Sequence, residues 1–344
     1  MKQQHEITRS APLLDRFGDL REPGWARSLL PVYRRKSIQA SRLRIKEWDY
    51  YLITDGHIGL ALTIADNGYM GLDSISFLQF DEGWEKTKSP MRVLPLGSTN
   101  LPESSAAGVS EIRRKGYYLR FSHEGGSRKL EFHMDDFLDA QAIEGSLTLS
   151  DAPEQSMVIA TPFDKPAHFY YNQKINCLRA EGWITLGAKR FDLTPDRFFG
   201  VLDWGRGVWT YHNTWYWGSA SGLLDGVPFG WNIGYGFGNT SAASENVLFY
   251  DGQVQKLGEV AFHIPESGGK EDFLSPWKFT SSDQRFEMDF TPVLDRKSCM
   301  SVLVIKSDQH QVFGRFTGRV TLDDGTVVPV RDFFGFAEKV ENKW

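Results

Sequence analysis

The chain has 344 residues, of which 41% are hydrophobic and 24% charged, an ordinary globular composition in a length sufficient for two domains. The formal net charge of −5, with no Lys/Arg tract interleaved with aromatic residues, argues against a nucleic-acid partner. No segment approaches the ~18 consecutive apolar residues of a membrane span. The N-terminus lacks the apolar run of a signal peptide, so we expect a cytoplasmic protein.

The sequence predicts neither a metal site nor a cofactor. Its two cysteines, Cys177 and Cys299, are too few for a disulfide framework or a zinc cluster and are expected to be free thiols. The eight histidines show no metal-ligand spacing. The run from Gly234 to Gly238 is not a dinucleotide fingerprint, because Asn239 stands where the third glycine should be.

Residues 1–40 are predicted to form an extended arm. Pro12, Pro23 and Pro31 interrupt this stretch, which has little periodicity of its own. The best candidate for a short helix within it is Ser10–Phe17.

From Ile45 onward the sequence alternates as β-strands do. Trp48–Thr54 and His57–Ala65 flank Asp55-Gly56, a dipeptide typical of two-residue hairpin turns because both positions accept positive φ. Pairing outward from this turn places large residues opposite small ones, as in Trp48–Thr63, Tyr50–Ala61 and Leu52–Gly59.

The remaining segments predict further short strands separated by Gly and Asp turns. They are Tyr117–His123, Lys129–Asp135, Met157–Thr161, Leu178–Leu186, Val247–Asp251, Glu259–Ile264, Arg285–Phe290, Ser301–Lys306, Gly314–Leu322 and Thr326–Val330. Helical periodicity is scarce, with Pro195–Phe199 the other short helix candidate. Many short strands at regular spacing predict an all-β fold of antiparallel barrels or sandwiches.

Landmarks that recur in the same order predict an internal duplication. In each half an Asp-Gly turn is followed by a second Asp 26 positions after the first: Asp55 and Asp81, then Asp225 and Asp251. Each half also ends with a Thr-Leu strand, a Phe-Phe-Gly motif and a Trp nine positions after that Gly: Gly200 and Trp209, then Gly335 and Trp344. The predicted architecture is two tandem β-barrels, residues 41–209 and 210–344.

The segment Asp203–Gly238 holds five of the eleven Trp residues and lies at the seam between the predicted barrels. Its second half predicts a hairpin about Asp225-Gly226, with the pairs Trp217–Gly234, Trp215–Gly236, Ser219–Asn232 and Ser221–Gly230 on one face. If that face lines a barrel, it forms an apolar pocket with a few fixed polar groups. If it points outward, the Trp side chains pack on the first barrel.

Asp203 and Arg206 flank Trp204-Gly205 in this segment. One interpretation is a partly buried acid held by Arg206 and able to donate a proton. The other is a structural ion pair that fixes the connection between the barrels. His212 is likewise open between proton transfer and a surface role.

Glu245 and Asn246 precede the predicted strand Val247–Asp251. A carboxylate beside an amide could orient a polar head group or a water molecule at a barrel mouth. The alternative is that both side chains bond only to loop backbone.

Several motifs resemble a known family. DWGRGVW, WYWGSASG and ENVLFYDGQVQKLGEV resemble the bacterial family called domain of unknown function 2804, and GRVTLDDGTVVPVRDFFGFAEKVENKW looks like its C-terminal signature. More distantly, D-W-G followed by W-x-W and an L-x-D-G turn resembles the tandem lipocalin-like group, which includes carotenoid 1,2-hydratases and a yeast survival-factor protein. The resemblance implies two lipocalin-like barrels and long apolar ligands, and no single activity.

Three functions fit these observations. The leading hypothesis is binding of a long apolar small molecule, such as a lipid or isoprenoid, by Trp215, Trp217, Ser219, Asn232, Arg206 and Asn246. The alternative is a hydratase or isomerase acting on an isoprenoid or lipid alkene, with candidate catalytic residues Asp203, His212 and Glu245. It requires an acid that borders the same cavity as Trp215 and Trp217. A third is a protein-interaction scaffold, which filled barrel interiors would favour.

Overall fold

The computed structural model describes residues 4–302 and 305–343, which form 27 β-strands and two 3₁₀-helices, Arg35–Ser37 and Arg42–Arg44. The strands are β1 (Ala11–Pro12), β2 (Gly24–Ala26), β3 (Pro31–Val32), β4 (Ile45–Thr54), β5 (Ile58–Asp66), β6 (Met70–Gln79), β7 (Trp84–Lys88), β8 (Met91–Val93), β9 (Gly108–Arg114), β10 (Tyr117–Glu124), β11 (Ser127–Leu138), β12 (Gln141–Ser150), β13 (Met157–Pro162), β14 (Phe169–Leu186), β15 (Lys189–Leu193), β16 (Phe199–Val208), β17 (His212–Leu224), β18 (Val227–Tyr235), β19 (Val247–Tyr250), β20 (Gln253–Lys256), β21 (Val260–His263), β22 (Glu266–Ser267), β23 (Lys270–Glu271), β24 (Trp277–Ser281), β25 (Phe286–Val302), β26 (Ile305–Thr321) and β27 (Val327–Lys343). The predicted all-β class is confirmed.

Two large sheets contain most of these strands. The first has 14 strands, and its main path runs β7-β6-β5-β4-β16-β14-β12-β11-β10-β9. The second has nine strands in the order β20-β19-β18-β17-β27-β26-β25-β24-β21. Neighbours along both paths are antiparallel, which suits the short Gly and Asp turns of the sequence.

The two sheets share one order of strands. In the first sheet, the strands β7-β6-β5-β4 are followed along the path by β16 and then by β14. In the second sheet, the strands β20-β19-β18-β17 are followed by β27 and then by β26. Strand β4 therefore corresponds to β17, β16 to β27, and β14 to β26.

Alternation along the central strands divides the apolar side chains between two environments. In β4, Tyr51 and Ile53 belong to a core formed by the first sheet and the arm. Tyr50 and Leu52 face the other way, into a cluster shared with the second sheet. The second sheet has its own core as well, around Trp231. Each sheet thus has its own hydrophobic core on one face and packs against the other sheet with its opposite face.

Aromatic rings make much of the contact between the sheets. Phe80 follows β6 in the first sheet and meets Phe313 and Phe334 of the second, with ring centroids 5.0 and 4.6 Å apart. Trp209 lies at the other end of the shared surface, 5.8 Å from Trp215. Trp209, Trp215 and Trp217 therefore pack between the sheets, and the hairpin face that carries Trp215 and Trp217 points outward from the second sheet's own core.

Strand β14 exchanges its two faces at a β-bulge. Ladder pairing to β16 is interrupted between Ile175 and Leu178, and Cys177 adopts a φ of +60°. Both Ile175 and Leu178 can therefore face the first sheet's core. The bulge leaves Asn176, which is fully buried, pointing at the second sheet.

Asn176 links the two sheets through hydrogen bonds. Its Nδ2 lies 2.7 Å from Ser219 Oγ, 3.1 Å from the Ala220 carbonyl oxygen and 3.0 Å from the Trp231 carbonyl oxygen. Both carbonyls belong to the β17–β18 hairpin. One side chain of the first sheet thus donates hydrogen bonds to the backbone of the second.

The Asp55-Gly56 hairpin is longer at its turn than predicted. Thr54 pairs with Gly59, which shifts the register by two residues to Trp48–Ala65, Tyr50–Thr63 and Leu52–Ala61. The Asp55 carboxylate accepts from the backbone N–H groups of His57 and Ile58, which closes a wider turn. Because the shift is two residues, every side chain keeps its predicted face.

The Asp225-Gly226 hairpin has the predicted register, with Trp217–Gly234, Ser219–Asn232 and Ser221–Gly230 paired. The predicted Trp215–Gly236 pair does not form. Pairing stops at Tyr216–Tyr235, and Gly236 turns away with a φ of +89°. Trp215 pairs instead with Val340 of β27.

Neither predicted helix forms. Ser10–Phe17 contains β1 and a turn in which the Asp15 carboxylate accepts from Phe17 N. Pro195–Phe199 is a single turn that leads into β16. The described part of the chain has no helix that is both long and apolar enough to cross a membrane. Part of the predicted strand Ser301–Lys306, and the landmark Trp344, lie outside the described residues.

Residues 4–40 contain β1, β2, β3, turns and the 3₁₀-helix Arg35–Ser37, and they contact both sheets. Strand β2 joins the first sheet by pairing with β13. The backbone N–H of His5 donates to the carbonyl oxygen of Ala242, in the loop between β18 and β19 of the second sheet, at 2.9 Å. The arm therefore adds to the contact between the sheets.

Replacing Asn176 with alanine is expected to lower the free energy of unfolding by about 2–3 kcal/mol, because it removes buried hydrogen bonds to Ser219 and to two carbonyl groups of the other sheet. Urea unfolding followed by tryptophan fluorescence measures this change. The exposed Gln39→Ala is the control and should stay within about 0.5 kcal/mol of the unaltered chain. Equal effects of the two substitutions would show that the Asn176 link is dispensable.

Candidate active site between the two sheets

A row of polar and aromatic side chains crosses the buried surface between the sheets. In the first sheet, neighbouring strands β4, β16 and β14 place Tyr50, Asp203 and Lys174 side by side. In the second sheet, β17, β27 and β26 place Trp217, Glu338 and Gln311 side by side. Each of the six is at most 8% exposed. We call these six residues the inter-sheet row.

Asp203 and Glu338 occupy equivalent positions in the two sheets. Each is the third residue after the Gly of a Phe-Phe-Gly motif, at Gly200 and Gly335. Each lies on the strand that pairs with the first strand of its unit. Their neighbours differ, since the residue paired with Asp203 is a lysine and the residue paired with Glu338 is a glutamine.

The Asp203 carboxylate is held by two partners. Lys174 Nζ lies 2.9 Å from Oδ2, and Asn172 Nδ2 donates to Oδ1 at 2.5 Å. Lys174 Nζ also lies 3.8 Å from the centre of the Trp217 ring across the interface. This cation–π contact connects the charged pair of the first sheet to the aromatic surface of the second.

The predicted ion pair between Asp203 and Arg206 is wrong. Residues three apart on a strand point to opposite faces, so Arg206 lies in the first sheet's own core. There its Nη1 contacts the Asp49 carboxylate at 3.0 Å, and the side chain is fully buried. Arg206 therefore neither holds Asp203 as a proton donor nor forms a structural ion pair with it.

Glu338 has no cation in hydrogen-bond contact among the described residues. Trp215 Nε1 donates to Oε1 at 3.0 Å, and Gln311 Nε2 donates to Oε2 at 3.1 Å. Burial raises the pKa of Glu338 to about 7, against the lowering effects of the Trp215 hydrogen bond and of Arg296 and Lys174. A substantial fraction of this carboxyl group therefore carries a proton at neutral pH.

Glu245 joins the row indirectly. Trp217 Nε1 donates to Asn232 Oδ1 at 2.7 Å, and Asn232 Nδ2 donates to the Glu245 carboxylate at 3.3 Å. Burial raises the pKa of Glu245, and Lys174 partly offsets this. Asn246, its neighbour, bonds to backbone only, accepting from Gly234 N at 2.6 Å.

The other predicted site residues lie apart from this chemistry. His212 is exposed at the start of β17, on the strand face opposite Trp215 and Trp217. Ser219 Oγ is occupied by the Asn176 amide at 2.7 Å. Of the three candidate catalytic residues, the structure brings Asp203 and Glu245 towards the same tryptophan and leaves His212 outside.

An apolar pocket continues the row along the same strands. It contains about 280 Å³ of space not filled by protein atoms, part of it open to solvent. Its lining residues are Leu52, Thr54, Phe199, Val201, Ser219, Ala220, Ser221, Phe313, Phe334, Gly335 and Phe336. Five of these stand two positions from a row residue on the same strand: Leu52, Val201, Ser219, Phe313 and Phe336. The row and the pocket are therefore successive layers of the same two faces.

Sequence reasoning missed Lys174, Glu338, Gln311 and Tyr50. A signal was present for two of them. Glu338 interrupts an alternation of apolar residues at 334, 336 and 340, and Lys174 stands in a run where every second residue from 170 to 176 is polar or Tyr. Polar residues at the buried period of a strand mark either a buried network or a site.

The row combines a proton donor, a proton acceptor and aromatic surfaces in a space closed to solvent. Glu338 can donate, Asp203 can accept, and the rings of Trp217 and Tyr50 stand 6.0 Å apart beside them. Within residues 4–302 and 305–343, no group of three or more His, Cys, Asp or Glu residues is placed to hold a metal ion.

The chain belongs to the family described as Domain of unknown function (DUF2804), which it matches over residues 4–344. No curated protein is similar to it in sequence. Among solved structures it is similar to an AttH candidate from Nitrosomonas europaea, with a TM-score of 0.55, 12% identity, and 90% of this chain and 99% of that one covered. It is also similar to kievitone hydratase from Nectria haematococca, with a TM-score of 0.53, 10% identity, and coverage of 97% and 98%. At these identities the likeness concerns the fold.

The raised pKa of Glu338 makes a prediction about stability and pH. Because its pKa rises from 4.5 to about 7 on folding, its contribution is fully present below pH 4.5 and is lost as the pH rises through 7. The loss should amount to about 3 kcal/mol at 1.36 kcal/mol per pH unit. Glu338→Gln, which cannot ionise, should flatten the decline of the urea midpoint between about pH 5 and 8.

Glu341→Gln is the matched control, since it removes a half-exposed carboxylate from the same strand. It should leave the slope of stability against pH unchanged. A Glu338→Gln slope equal to that of the unaltered chain would contradict a protonated Glu338 at neutral pH.

Proposed function

We propose that this DUF2804 protein is an acid–base enzyme that acts on a carbon–carbon double bond of a long apolar molecule, adding water to it or moving it. The observation that carries the proposal is the unequal pair of acids in the inter-sheet row. Glu338 has a pKa of about 7, whereas its counterpart Asp203 is paired with Lys174. Two carboxyl groups with such different surroundings divide naturally into an acid and a base.

The chemistry follows from these two groups. Glu338 transfers its proton to one alkene carbon, and the π electrons form the new C–H bond. The other carbon becomes a carbocation, which the aromatic rings beside the row stabilise. A water oxygen then forms the C–O bond while its proton passes to Asp203. A carbocation needs only a weak base to help its capture by water, so an ion-paired carboxylate suffices. Return of the proton to Glu338 through solvent completes the cycle.

The substrate class follows from the pocket. Leu52, Val201, Phe313 and Phe336 would hold an apolar chain, and the next layer along the strands would hold its reacting end. The row itself is closed to solvent, so a substrate reaches it only when side chains at the pocket floor move. Isoprenoids and unsaturated lipids have the required shape and polarity.

We further propose that the two sheets are tandem lipocalin-like barrels that arose by duplication, at residues 41–209 and 210–344, preceded by the arm at 1–40. The common order of strands supports this, as does the equivalence of Asp203 and Glu338. One of the similar solved structures named above is a hydratase, which agrees with the proposed reaction class. Cys177 and Cys299 are unpaired, which supports a reducing compartment such as the cytoplasm.

Carriage of an apolar small molecule is the second candidate function, and the same pocket favours it. The ligand would then lie between the sheets, because the inner face of each sheet is covered by its own apolar cluster. Filled interiors would also suit a protein-interaction scaffold. The buried acids favour an enzyme over a carrier or a scaffold, because neither of those functions requires a proton donor.

The enzyme proposal is tested by incubating the protein with isoprenoid and unsaturated fatty-acid alkenes in ¹⁸O-labelled water. Mass spectrometry should detect a product that contains one labelled oxygen. Glu338→Gln and Asp203→Asn should each lower the rate by about 10²–10⁴-fold, the usual contribution of a positioned acid or base. Glu341→Gln should leave the rate unchanged. A rate unaffected by Glu338→Gln would overturn the proposal.

Carriage is tested by extracting the natively purified protein and identifying bound lipids by mass spectrometry. An apolar molecule should be retained in near-stoichiometric amount, and Val201→Trp, which fills the pocket, should lower its occupancy at least tenfold. The exposed Val93→Trp is the control. A retained molecule that the protein never converts would favour carriage over catalysis, and equal retention by Val201→Trp would remove the pocket from either function.

A further inference from the structure

A second pocket lies on the other side of β16, against the first sheet's own core. It contains about 280 Å³ of space not filled by protein atoms, part of it open to solvent, and its lining residues are Asp49, Tyr51, Pro102, Ser104, Ser105, Ala107, Gly108, Ser110, Phe121, Ser122, His123, Arg128, Leu202 and Trp204. Leu202 and Trp204 flank Asp203 in sequence and point to the opposite face. This second pocket is therefore separate from the inter-sheet row, and a ligand bound in it would not depend on the proposed reaction.

Arg128 is the unusual member of this lining. It is the second residue of β11, directly after the Gly125-Gly126 turn, and it is 6% exposed. Within the described part of the chain, no carboxylate lies within 4.0 Å of its guanidinium group, and its hydrogen bond to Tyr51 Oη is long, at 3.4 Å. A buried guanidinium is costly unless an anion or several acceptors satisfy it.

The neighbouring charges do not supply that anion. Asp49 contacts Arg206 at 3.0 Å and also accepts from Ser110 Oγ. Glu47, in the same core, is bound by Arg35. This part of the core therefore contains three guanidinium groups, those of Arg35, Arg206 and Arg128, but only two carboxylates among the described residues. Arg128, which borders the second pocket, is the one without a carboxylate partner among them.

Other polar groups line the same space. His123, the cross-strand neighbour of Arg128, has its Nδ1 2.9 Å from the Ser105 carbonyl oxygen. This contact requires a proton on Nδ1 and leaves Nε2 for another partner. Ser104 and Ser122 belong to the lining as well. A guanidinium group that borders such a polar space suits the planar or tetrahedral oxygens of an oxyanion.

We propose that this second pocket binds a small molecule through a carboxylate or phosphate group that pairs with Arg128. The anion supplies the missing negative charge, and the part of the molecule attached to it extends towards the open side of the pocket. Binding at this place would add a ligand to the first sheet without occupying the cleft between the sheets.

The test uses the full chain and three probes, namely inorganic phosphate, sulfate and acetate, at constant ionic strength set with sodium chloride. Thermal unfolding should show a saturable rise in Tm with phosphate and sulfate, with acetate, or with all three, since a ligand that binds only the folded chain stabilises it. Response to acetate alone would indicate a carboxylate ligand, and response to phosphate and sulfate a phosphate-bearing one.

Arg128→Gln should lose at least tenfold in affinity for the responding anion, measured by isothermal titration calorimetry. In anion-poor buffer its Tm should equal or exceed that of the unaltered chain, because an unmatched buried charge has been removed. Arg120→Gln is the matched control, since Arg120 lies on the adjacent strand and pairs with Glu111 outside the pocket. It should keep the full anion response.

Arg128→Lys keeps the charge and provides the measurement if Arg128→Gln does not fold. It should bind the responding anion more weakly than the unaltered chain, because lysine lacks the two-pronged geometry. The proposal is overturned if none of the three anions gives a saturable shift, or if the Arg128 variants respond as the unaltered chain does.

Discussion

The structure depends on one constraint, which is that both large sheets bury their outer faces against each other. That contact removes water from positions where each sheet carries an acid. Asp203 keeps a nearby cation, whereas Glu338 has only an indole and an amide as donors. The free-energy cost of burying a lone carboxylate therefore falls on the second sheet, and protonation relieves it.

Much of the fold could be predicted from the sequence, because strand alternation and Asp-Gly turns are local signals. The register about Asp225-Gly226 follows from the turn alone. The register about Asp55-Gly56 does not, since the Asp55 side chain closes a wider turn that the dipeptide does not reveal. The bulge at Cys177 could not be predicted either, because the contacts that Asn176 makes there are with residues of the other sheet.

The candidate site was harder to predict for a physical reason. Asp203 and Trp217 lie in a conspicuous segment. The residues that contact them in the row, Lys174 and Glu338, lie on β14 and β27, outside that segment. The error over Arg206 shows the same limit: residues close together on a strand need not be close in space, because successive side chains point to opposite faces. Long-range register, which only the folded sheets define, brings Lys174 and Glu338 to the row.

The matching order of strands has a consequence for half of this molecule. A chain with only one of the sheets would expose the face that bears Tyr50, Leu52 and Val201 to water, and a second copy could cover it through a twofold axis. In such a symmetric dimer the two facing acids would be identical, with the same partners and the same affinity for protons. Joining the halves in one polypeptide allows the partner of one acid to be a lysine and that of the other a glutamine, so covalent linkage permits a difference that symmetry forbids.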